Sequence, residues 1–210
     1  MLKTLEFQNL KSMLLCAADD VIENKSYLSE LDAVIGDGDH GTTIARAMEI
    51  LKESLSKGPE DDLKKLLKNI GWALLGVNGG ATGPLLGSLF KGLSDGMDAG
   101  ETVDSAVLAK MFDSARAGVL KVSGASLGDK TMIDAFVPAV EATQQDCGGD
   151  IIVMLERASA AAAAGAEATV EMTAKKGRAK NMADKSVGHK DAGATSMSLI
   201  FKGFEKGIKM

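Results

Sequence analysis

The chain has 210 residues, of which 45% are hydrophobic and 25% charged, a composition that suits one folded domain spanning residues 1–210. A formal net charge of −5 and an aromatic content of 4% argue against a nucleic-acid-binding protein, which needs a basic face or stacking platforms. Cys16 and Cys147 are too few for a disulfide framework or a zinc site, and the lack of a secretory leader or a membrane-length apolar run indicates a cytoplasmic protein.

Apolar residues recur every three or four positions along most of the chain, which is the spacing of amphipathic helices. In chain order these stripes cover residues 7–21, 44–55, 63–74, 86–97, 108–119, 133–140, 151–172 and 197–208. No convincing alternation of period two and no repeated strand–helix unit is found. The sequence therefore predicts an all-α fold of about eight helices.

Four connecting segments differ from plain turns such as Lys57-Gly58-Pro59 because they are rich in glycine, small hydroxyl side chains and charge. They cover residues 32–43, 76–84, 123–132 and 175–196. Alternate loops of an antiparallel bundle lie at the same end, so these four segments can gather into one site.

The first of these segments places Asp32, Asp37 and Asp39 within eight positions, with glycines between and after them. Clustered carboxylates repel one another unless a cation joins them, and glycines let the backbone fold tightly around an ion. Because Mg²⁺ prefers oxygen ligands and is usually held by carboxylates together with phosphates, the cluster predicts a magnesium site for phosphate chemistry. An EF-hand is excluded, since the twelfth position counted from Asp32 or Asp37 is Thr43 or Met48.

Two other interpretations of the aspartate cluster stay open at this point. An acidic, solvated turn would show the same residues without any ion. A phosphatase-type Asp-x-Asp-x-Thr site would need a strand ending in a parallel sheet, and only residues 33–35 offer one.

The second segment, Gly79-Gly80-Ala81-Thr82-Gly83-Pro84, lies between two helical stripes. Pro84 suits the first turn of a helix, and free N–H groups at that helix start, with the Thr82 hydroxyl, would bind an anion. No Gly-Lys-Ser/Thr follows, so this is not a Walker A loop. An ordinary helix–helix turn is the alternative.

The remaining segments carry weaker signals. Asp129 and Lys130 form a charge pair at a tight turn, where Asp129 alternatively can cap the following helix, and Met132 can pack on an adenine face or in the core. The basic run Lys175–Lys180 can hold nucleotide charge or form a solvated face. The chain's two histidines, His40 and His189, both fall in these segments, where we expect a hydrogen-bonding role.

Taken together, these segments resemble the L subunit of dihydroxyacetone kinase, the nucleotide-binding subunit of that family, over essentially the whole chain. The motifs occur in the family's order as Asp32-x4-Asp37-Gly38-Asp39-His40-Gly41, Gly79-Gly80-Ala81-Thr82-Gly83-Pro84, Gly128-Asp129-Lys130-Thr131-Met132, Lys176-Gly177-Arg178-Ala179 and Gly188-His189-x-Asp191-x-Gly193-Ala194-Thr195-Ser196. Five motifs in register are far more specific than any one of them.

The resemblance implies a barrel of eight antiparallel helices with ADP or ATP at one end and two Mg²⁺ ions on Asp32, Asp37 and Asp39. Arg178 would help the metals stabilise the transferring phosphoryl group. The nucleotide contacts that the resemblance implies are His40, Gly41, Thr42, Thr43, Gly80, Ala81, Thr82, Ser123, Met132, Arg178, Asp191, Ala192 and Gly193. The chain departs from the family at Ser123, near a common glycine, at Ala192, often proline, and at Thr82, which replaces a serine but keeps the hydroxyl.

The resemblance also implies partners. A K subunit would hold dihydroxyacetone through a histidine, a phosphohistidine M subunit of the phosphotransferase system would rephosphorylate bound ADP, and the chain would form a homodimer. Two alternatives are an ATP-dependent kinase subunit for dihydroxyacetone or another small ketose, and an ADP-loaded regulatory module that contacts a transcription regulator. The intact aspartate triad favours chemistry over binding alone.

Overall fold

The structure, a computed structural model, describes residues 1–145 and 148–210. Over these residues the helices are α1 Phe7–Glu23, α2 Lys25–Ile35, α3 His40–Lys57, α4 Leu63–Leu75, α5 Thr82–Asp95, α6 Ser105–Ser123, α7 Ile133–Gln145, α8 Ile151–Ala168 and α9 Ala192–Ile208. Two 3₁₀ helices cover Thr169–Glu171 and Ala179–Ser186. The all-α prediction is confirmed, whereas the closed barrel stays a prediction.

Helix α2 is the element that the sequence analysis missed. Only Leu28 and Ile35 of this helix are buried, so its apolar stripe is too sparse to stand out. The segment predicted as a loop over 32–43 is therefore much shorter, because α2 continues to Ile35 and α3 begins at His40. Asp32 consequently sits on the last turn of a helix.

Two strands of two residues each were also not predicted from the sequence. β1, Thr4–Leu5, pairs antiparallel with β2, Val103–Asp104, so that Thr4 faces Asp104 and Leu5 faces Val103. Strands this short cannot display a period-two pattern. They tie the start of α1 to the start of α6.

The core is built by helices that run close together, α1 along α9, α4 along α5 and α7 along α8. Gly203 of α9 allows the first of these approaches, because a Cβ atom there would lie 2.2 Å from the Ala17 Cα atom of α1. In the core, the Phe201 ring centroid lies 5.6 Å from those of Phe112 and Phe204. These contacts fix the helices between which the polar loops run.

Two further expectations concern cysteine and membrane segments. Cys16 is buried with a free thiol, and Cys147 lies outside the described residues. Along the parts of the chain that the structure describes, no helix combines the length and the apolar character needed to cross a membrane.

Candidate active site

A cavity of about 520 Å³ lies where the four polar segments meet, a volume typical of a small-molecule site. The structure thus brings together residues that are far apart in sequence. The predicted site residues that line the cavity are Asp32, Asp37, Asp39, His40, Gly80, Ala81, Thr82, Ser123, Met132, Arg178, Asp191, Ala192 and Gly193.

Four helices begin at the wall of this cavity. Their first residues are His40 of α3, Thr82 of α5, Ile133 of α7 and Ala192 of α9, and all four line it. The start of a helix carries partial positive charge and backbone N–H groups that lack partners within the helix. The convergence of four such ends makes this cavity suited to an anion, phosphate above all.

Three carboxylates gather at one side of the cavity. Asp32, Asp37 and Asp39 each present one oxygen, and these oxygens all lie within 4.8 Å of one another. The link between α2 and α3 can turn so sharply because Gly38 adopts a φ of 76°, which glycine tolerates best. The His40 N–H donates to Asp32 Oδ2 at 3.2 Å and fixes that carboxylate. Such an oxygen set fits a hard divalent cation.

Arg178 provides positive charge beside these carboxylates. Its Nη1 atom forms an ion pair with Asp37, and its Nη2 atom lies 3.8 Å from Asp39 Oδ2. The guanidinium comes from the distant segment between α8 and α9, so the ion pair joins the two sides of the cavity. A cation bound by the aspartates would free Arg178 to turn toward a phosphate group.

His40 behaves as the hydrogen-bonding residue that the sequence analysis expected. Its Nε2 atom lies 3.0 Å from Ser196 Oγ, which connects the start of α3 to α9. Burial lowers the pKa of His40, and the charge of Asp32 opposes this shift. The side chain of His189 is exposed and does not line the cavity. Its backbone carbonyl accepts a hydrogen bond from Lys130 instead.

Three predicted nucleotide contacts do not line the cavity. Gly41 faces α2, since a Cβ atom there would lie 2.0 Å from the Lys25 carbonyl oxygen. Thr43 is buried and packs against Gly79, and Thr42 is exposed. Nucleotide contacts by these three residues therefore stay predictions.

Much of the cavity lining is apolar, which the sequence did not predict. The apolar residues that line it include Ile35, Ile44, Leu86, Val122, Ile133, Met197 and Ile200, most of which belong to the helical stripes. Met132 is half-buried among them, where it can contact an aromatic ring. The Ser123 hydroxyl is engaged locally, because it accepts from the Ala125 N–H at 3.2 Å.

The start of α7 differs from its predicted form. Asp129 does not cap this helix, because its carboxylate accepts from the Ser126 N–H at 2.9 Å. The Thr131 hydroxyl accepts from the Ile133 N–H at 3.2 Å and takes the capping role. Lys130, between Asp129 and Thr131, lines the cavity and is 1% exposed, which no feature of the sequence indicated.

Asp191 caps the start of α9 through a hydrogen bond of 2.6 Å from the Ala194 N–H to its Oδ2 atom. Burial raises the pKa of Asp191 to about 7. The Ala194 N–H and the charge of Lys130 oppose this rise, while the charges of Asp134 and Asp32 add to it. Near neutral pH this carboxyl group is therefore only partly ionised.

The variant Asp191→Asn is expected to stabilise the protein without ligands at about pH 8 more than at about pH 5. The unfolded chain ionises this carboxyl near pH 3.8 and the folded protein only near 7, so the wild type loses stability as the pH rises between them. Asparagine keeps the capping oxygen. The full shift in the pKa of Asp191 corresponds to about 4 kcal/mol in the free energy of unfolding. We expect the stabilisation by Asp191→Asn, measured by urea unfolding, to be larger at pH 8 than at pH 5 by at least about 1 kcal/mol.

The control for this variant is Asp104→Asn, at the N-cap of α6, where the carboxylate accepts from the Val107 N–H. It should change the unfolding free energy equally at the two pH values. An equal gain at both pH values for Asp191→Asn would contradict the prediction.

Comparison with known proteins shows the family to which the chain belongs. Residues 34–206 match the family described as the DAK2 domain. The chain is 38% identical over 181 residues to the PEP-dependent dihydroxyacetone kinase 1, ADP-binding subunit DhaL, of Listeria innocua, with 86% of each chain covered. It is 38% identical over 186 residues to the PEP-dependent dihydroxyacetone kinase, ADP-binding subunit DhaL, of Escherichia coli, covering 87% of this chain and 89% of that one.

A solved structure shows the same fold. The chain matches the crystal structure of the dihydroxyacetone kinase from C. freundii in complex with AMP-PNP and Mg²⁺, with a TM-score of 0.72 and 25% identity. The match covers 98% of this chain and 35% of that one, so the chain spans about a third of the longer kinase. The resemblance predicted from the motifs is thereby confirmed, and the chain belongs to the DAK2 domain family, together with the ADP-binding L subunits of dihydroxyacetone kinases.

Proposed function

We propose that this chain is the ADP-binding subunit of a dihydroxyacetone kinase that receives its phosphoryl group from the phosphotransferase system. Bound ADP would accept the phosphoryl group in the cavity and pass it to dihydroxyacetone held by another subunit. The observation that carries the proposal is the meeting of three carboxylates, Arg178 and four helix starts around one cavity. Relatives of similar length, named as ADP-binding subunits, support it.

The polar side of the cavity is suited to the phosphates. We propose that Asp32, Asp37 and Asp39 hold two Mg²⁺ ions, which would neutralise charge on the phosphate oxygens. The residues at the start of α5, Gly80 to Thr82, line the cavity and direct the positive end of that helix toward it. Arg178 would leave Asp37 and donate to the transferring phosphoryl group, where its planar donors match phosphate oxygens.

The apolar side of the cavity is suited to the nucleotide base. The cavity lining includes the apolar side chains of Val122, Met132 and Met197, and also Ser123. We propose that the base packs here, while Asp191, Ala192 and Gly193 hold the nucleotide from the start of α9. A flat apolar surface binds a base by removing it from water, which gives affinity without charge.

The names of the relatives describe one subunit of a larger kinase, which indicates that partners take part. We propose a K subunit that holds dihydroxyacetone and a phosphohistidine M subunit that recharges ADP. The homodimer and the contact with a transcription regulator stay predictions.

The experiment that tests the proposal measures the nucleotide and magnesium content of the purified protein after extensive dialysis. We expect close to one equivalent of ADP, retained together with magnesium. When K and M subunits, phosphoenolpyruvate and the general phosphotransferase proteins are added, this same ADP should support formation of dihydroxyacetone phosphate. Retention alone would not distinguish an enzyme subunit from a regulatory module, so both measurements are needed.

Two outcomes would contradict the proposal. A protein that purifies empty and exchanges ATP freely would be an ATP-dependent kinase subunit. A protein that retains ADP yet never becomes phosphorylated with the other subunits would be a regulatory module.

A further inference from the structure

The segment between α8 and α9, residues 169–190, forms a long excursion that we call the clasp. It leaves α8 at Thr169, carries Arg178 to the carboxylates at its outer part, and returns to α9 near Lys190. A buried lysine from another part of the chain, Lys130, lies at its base. The Lys130 Nζ atom is within hydrogen-bond distance of four clasp carbonyls, those of Thr169 at 2.7 Å, Met172 at 3.0 Å, Ser186 at 2.7 Å and His189 at 2.6 Å.

These four carbonyls come from both ends of the clasp. Thr169 and Met172 lie where the chain leaves α8, and Ser186 and His189 lie where it returns. A single ammonium group therefore joins the residues that leave α8 to the residues that return to α9. With three N–H groups for four acceptors, at least one N–H is shared between two carbonyls.

The position of Lys130 is costly for the fold. An ammonium group loses its hydration when buried, and burial lowers the pKa of Lys130 although the charges of Asp191 and Glu171 oppose this. Lys130 also adopts a φ of 61°, in the left-handed region that lysine rarely occupies. Costs of this kind persist where the surroundings determine one conformation, and they concentrate at functional sites.

Other contacts close the same base. The Gly188 N–H donates to the Val170 carbonyl at 2.8 Å, and the Ala174 N–H donates to Ser186 Oγ at 2.8 Å. Lys175 also joins the clasp to the loop before α7, since its backbone N–H donates to the Asp129 carbonyl at 3.1 Å and its Nζ atom to the Gly128 carbonyl at 2.9 Å. At the outer part, Arg178 contacts the aspartates across the cavity. The clasp is thus fixed at its base and held at its outer part by groups that would also meet ligands.

We propose that Lys130 is a positioning residue, which keeps the clasp closed over the cavity and thereby determines how slowly the nucleotide leaves. The proposal rests on the proposed function, because it concerns the residence of the same nucleotide. Lys130 acts through the four carbonyls, and so through the placement of Arg178 and of Asp191, which follows the base directly. An ADP cofactor that is recharged in place needs such a slow exit.

The test is the variant Lys130→Met, which keeps an unbranched side chain one atom shorter but leaves the four carbonyls without the ammonium donor. Release of a fluorescent ADP analogue from the magnesium-loaded protein, chased with excess ADP, should become at least tenfold faster. Its association rate should change less than threefold. In nucleotide-free protein, amide hydrogen exchange should become at least tenfold faster across residues 169–190 and stay unchanged in α1, α4 and α5.

The matched control is Lys190→Met, since Lys190 lies at the end of the same segment and pairs with Glu167 at the surface. Lys190 is partly buried but its partner Glu167 is exposed, and a pair with so much access to solvent contributes little, so release and exchange should stay within twofold of the wild type. Lys130→Arg keeps the cation and should restore part of the slow release. If Lys130 acted only by filling space, this variant would not restore it.

Two results would overturn the proposal. One is unchanged release and unchanged exchange in Lys130→Met. The other is faster exchange throughout the helices, which would mean that Lys130 supports the whole fold. If Lys130→Met does not fold, Ser186→Ala tests the same base, because it removes the bond from the Ala174 N–H and should speed exchange in the clasp alone. A wild type that binds no ADP would contradict the proposed function, while the exchange measurement would still decide the role of Lys130.

Discussion

Replacing Asp37 by alanine is expected to weaken the binding of ADP in the presence of Mg²⁺ at least a hundredfold, which is about 2.7 kcal/mol. Asp37 contributes one of the three carboxylate oxygens that lie within 4.8 Å of one another, and two oxygens hold a hard cation far less well than three. Isothermal titration with ADP at saturating magnesium measures the change. The carboxylate side chain is partly exposed, so the variant should remain folded and helical.

The control is Asp61→Ala, which removes an exposed aspartate from the loop before α4, outside the cavity lining. It has the same effect on net charge and should leave ADP affinity within twofold of the wild type. Nucleotide binding by Asp37→Ala that equals the wild type in magnesium and in EDTA would refute a metal bridge at this cluster.

Replacing Arg178 by glutamine is expected to slow phosphoryl transfer at least about a hundredfold while ADP affinity falls less than tenfold. An arginine that meets the transferring group stabilises charge that develops in the transition state, and such residues contribute large rate factors. In the absence of ligand, Arg178 pairs with Asp37 and Asp39, so its loss removes little ground-state binding. Single-turnover transfer from charged protein to dihydroxyacetone on the K subunit separates the two quantities.

Lys185→Gln is the matched control for this variant, because Lys185 is an exposed cation of the 3₁₀ helix that follows Arg178 and does not line the cavity. Its transfer rate should match the wild type. A rate for Arg178→Gln that falls only in proportion to ADP affinity would assign Arg178 to binding alone.

The sequence contained enough information for the fold class and for most of the polar half of the site. The stripes of apolar residues correspond to eight of the nine helices described, because each of those helices buries a continuous face. The aspartate cluster and the glycine-rich start of α5 could be identified because carboxylates and glycines seldom occur in such combinations outside binding sites. Helix α2 was missed because it buries only Leu28 and Ile35.

The apolar half of the cavity and the role of Lys130 could not be predicted. Ile44, Met197 and Ile200 belong to regular helical stripes, and nothing local distinguishes a residue that faces a cavity from one that faces the core. Lys130 stands beside Asp129 in the sequence, which suggested a charge pair at a turn. Its real partners are carbonyls 39 to 59 positions away, which depend on tertiary structure alone.

The ion pair between Arg178 and the aspartates gives the protein a counter-ion of its own. One guanidinium neutralises Asp37 less well when it also pairs with a phosphate, so uptake of the proposed cation at the carboxylates and departure of Arg178 from them would be coupled. By thermodynamic reciprocity, whatever draws the arginine toward a phosphate raises affinity for the cation, and the cation raises affinity for the phosphate by the same factor. Metal and nucleotide would then bind together. Either one alone would meet a site in which Arg178 already neutralises the carboxylates.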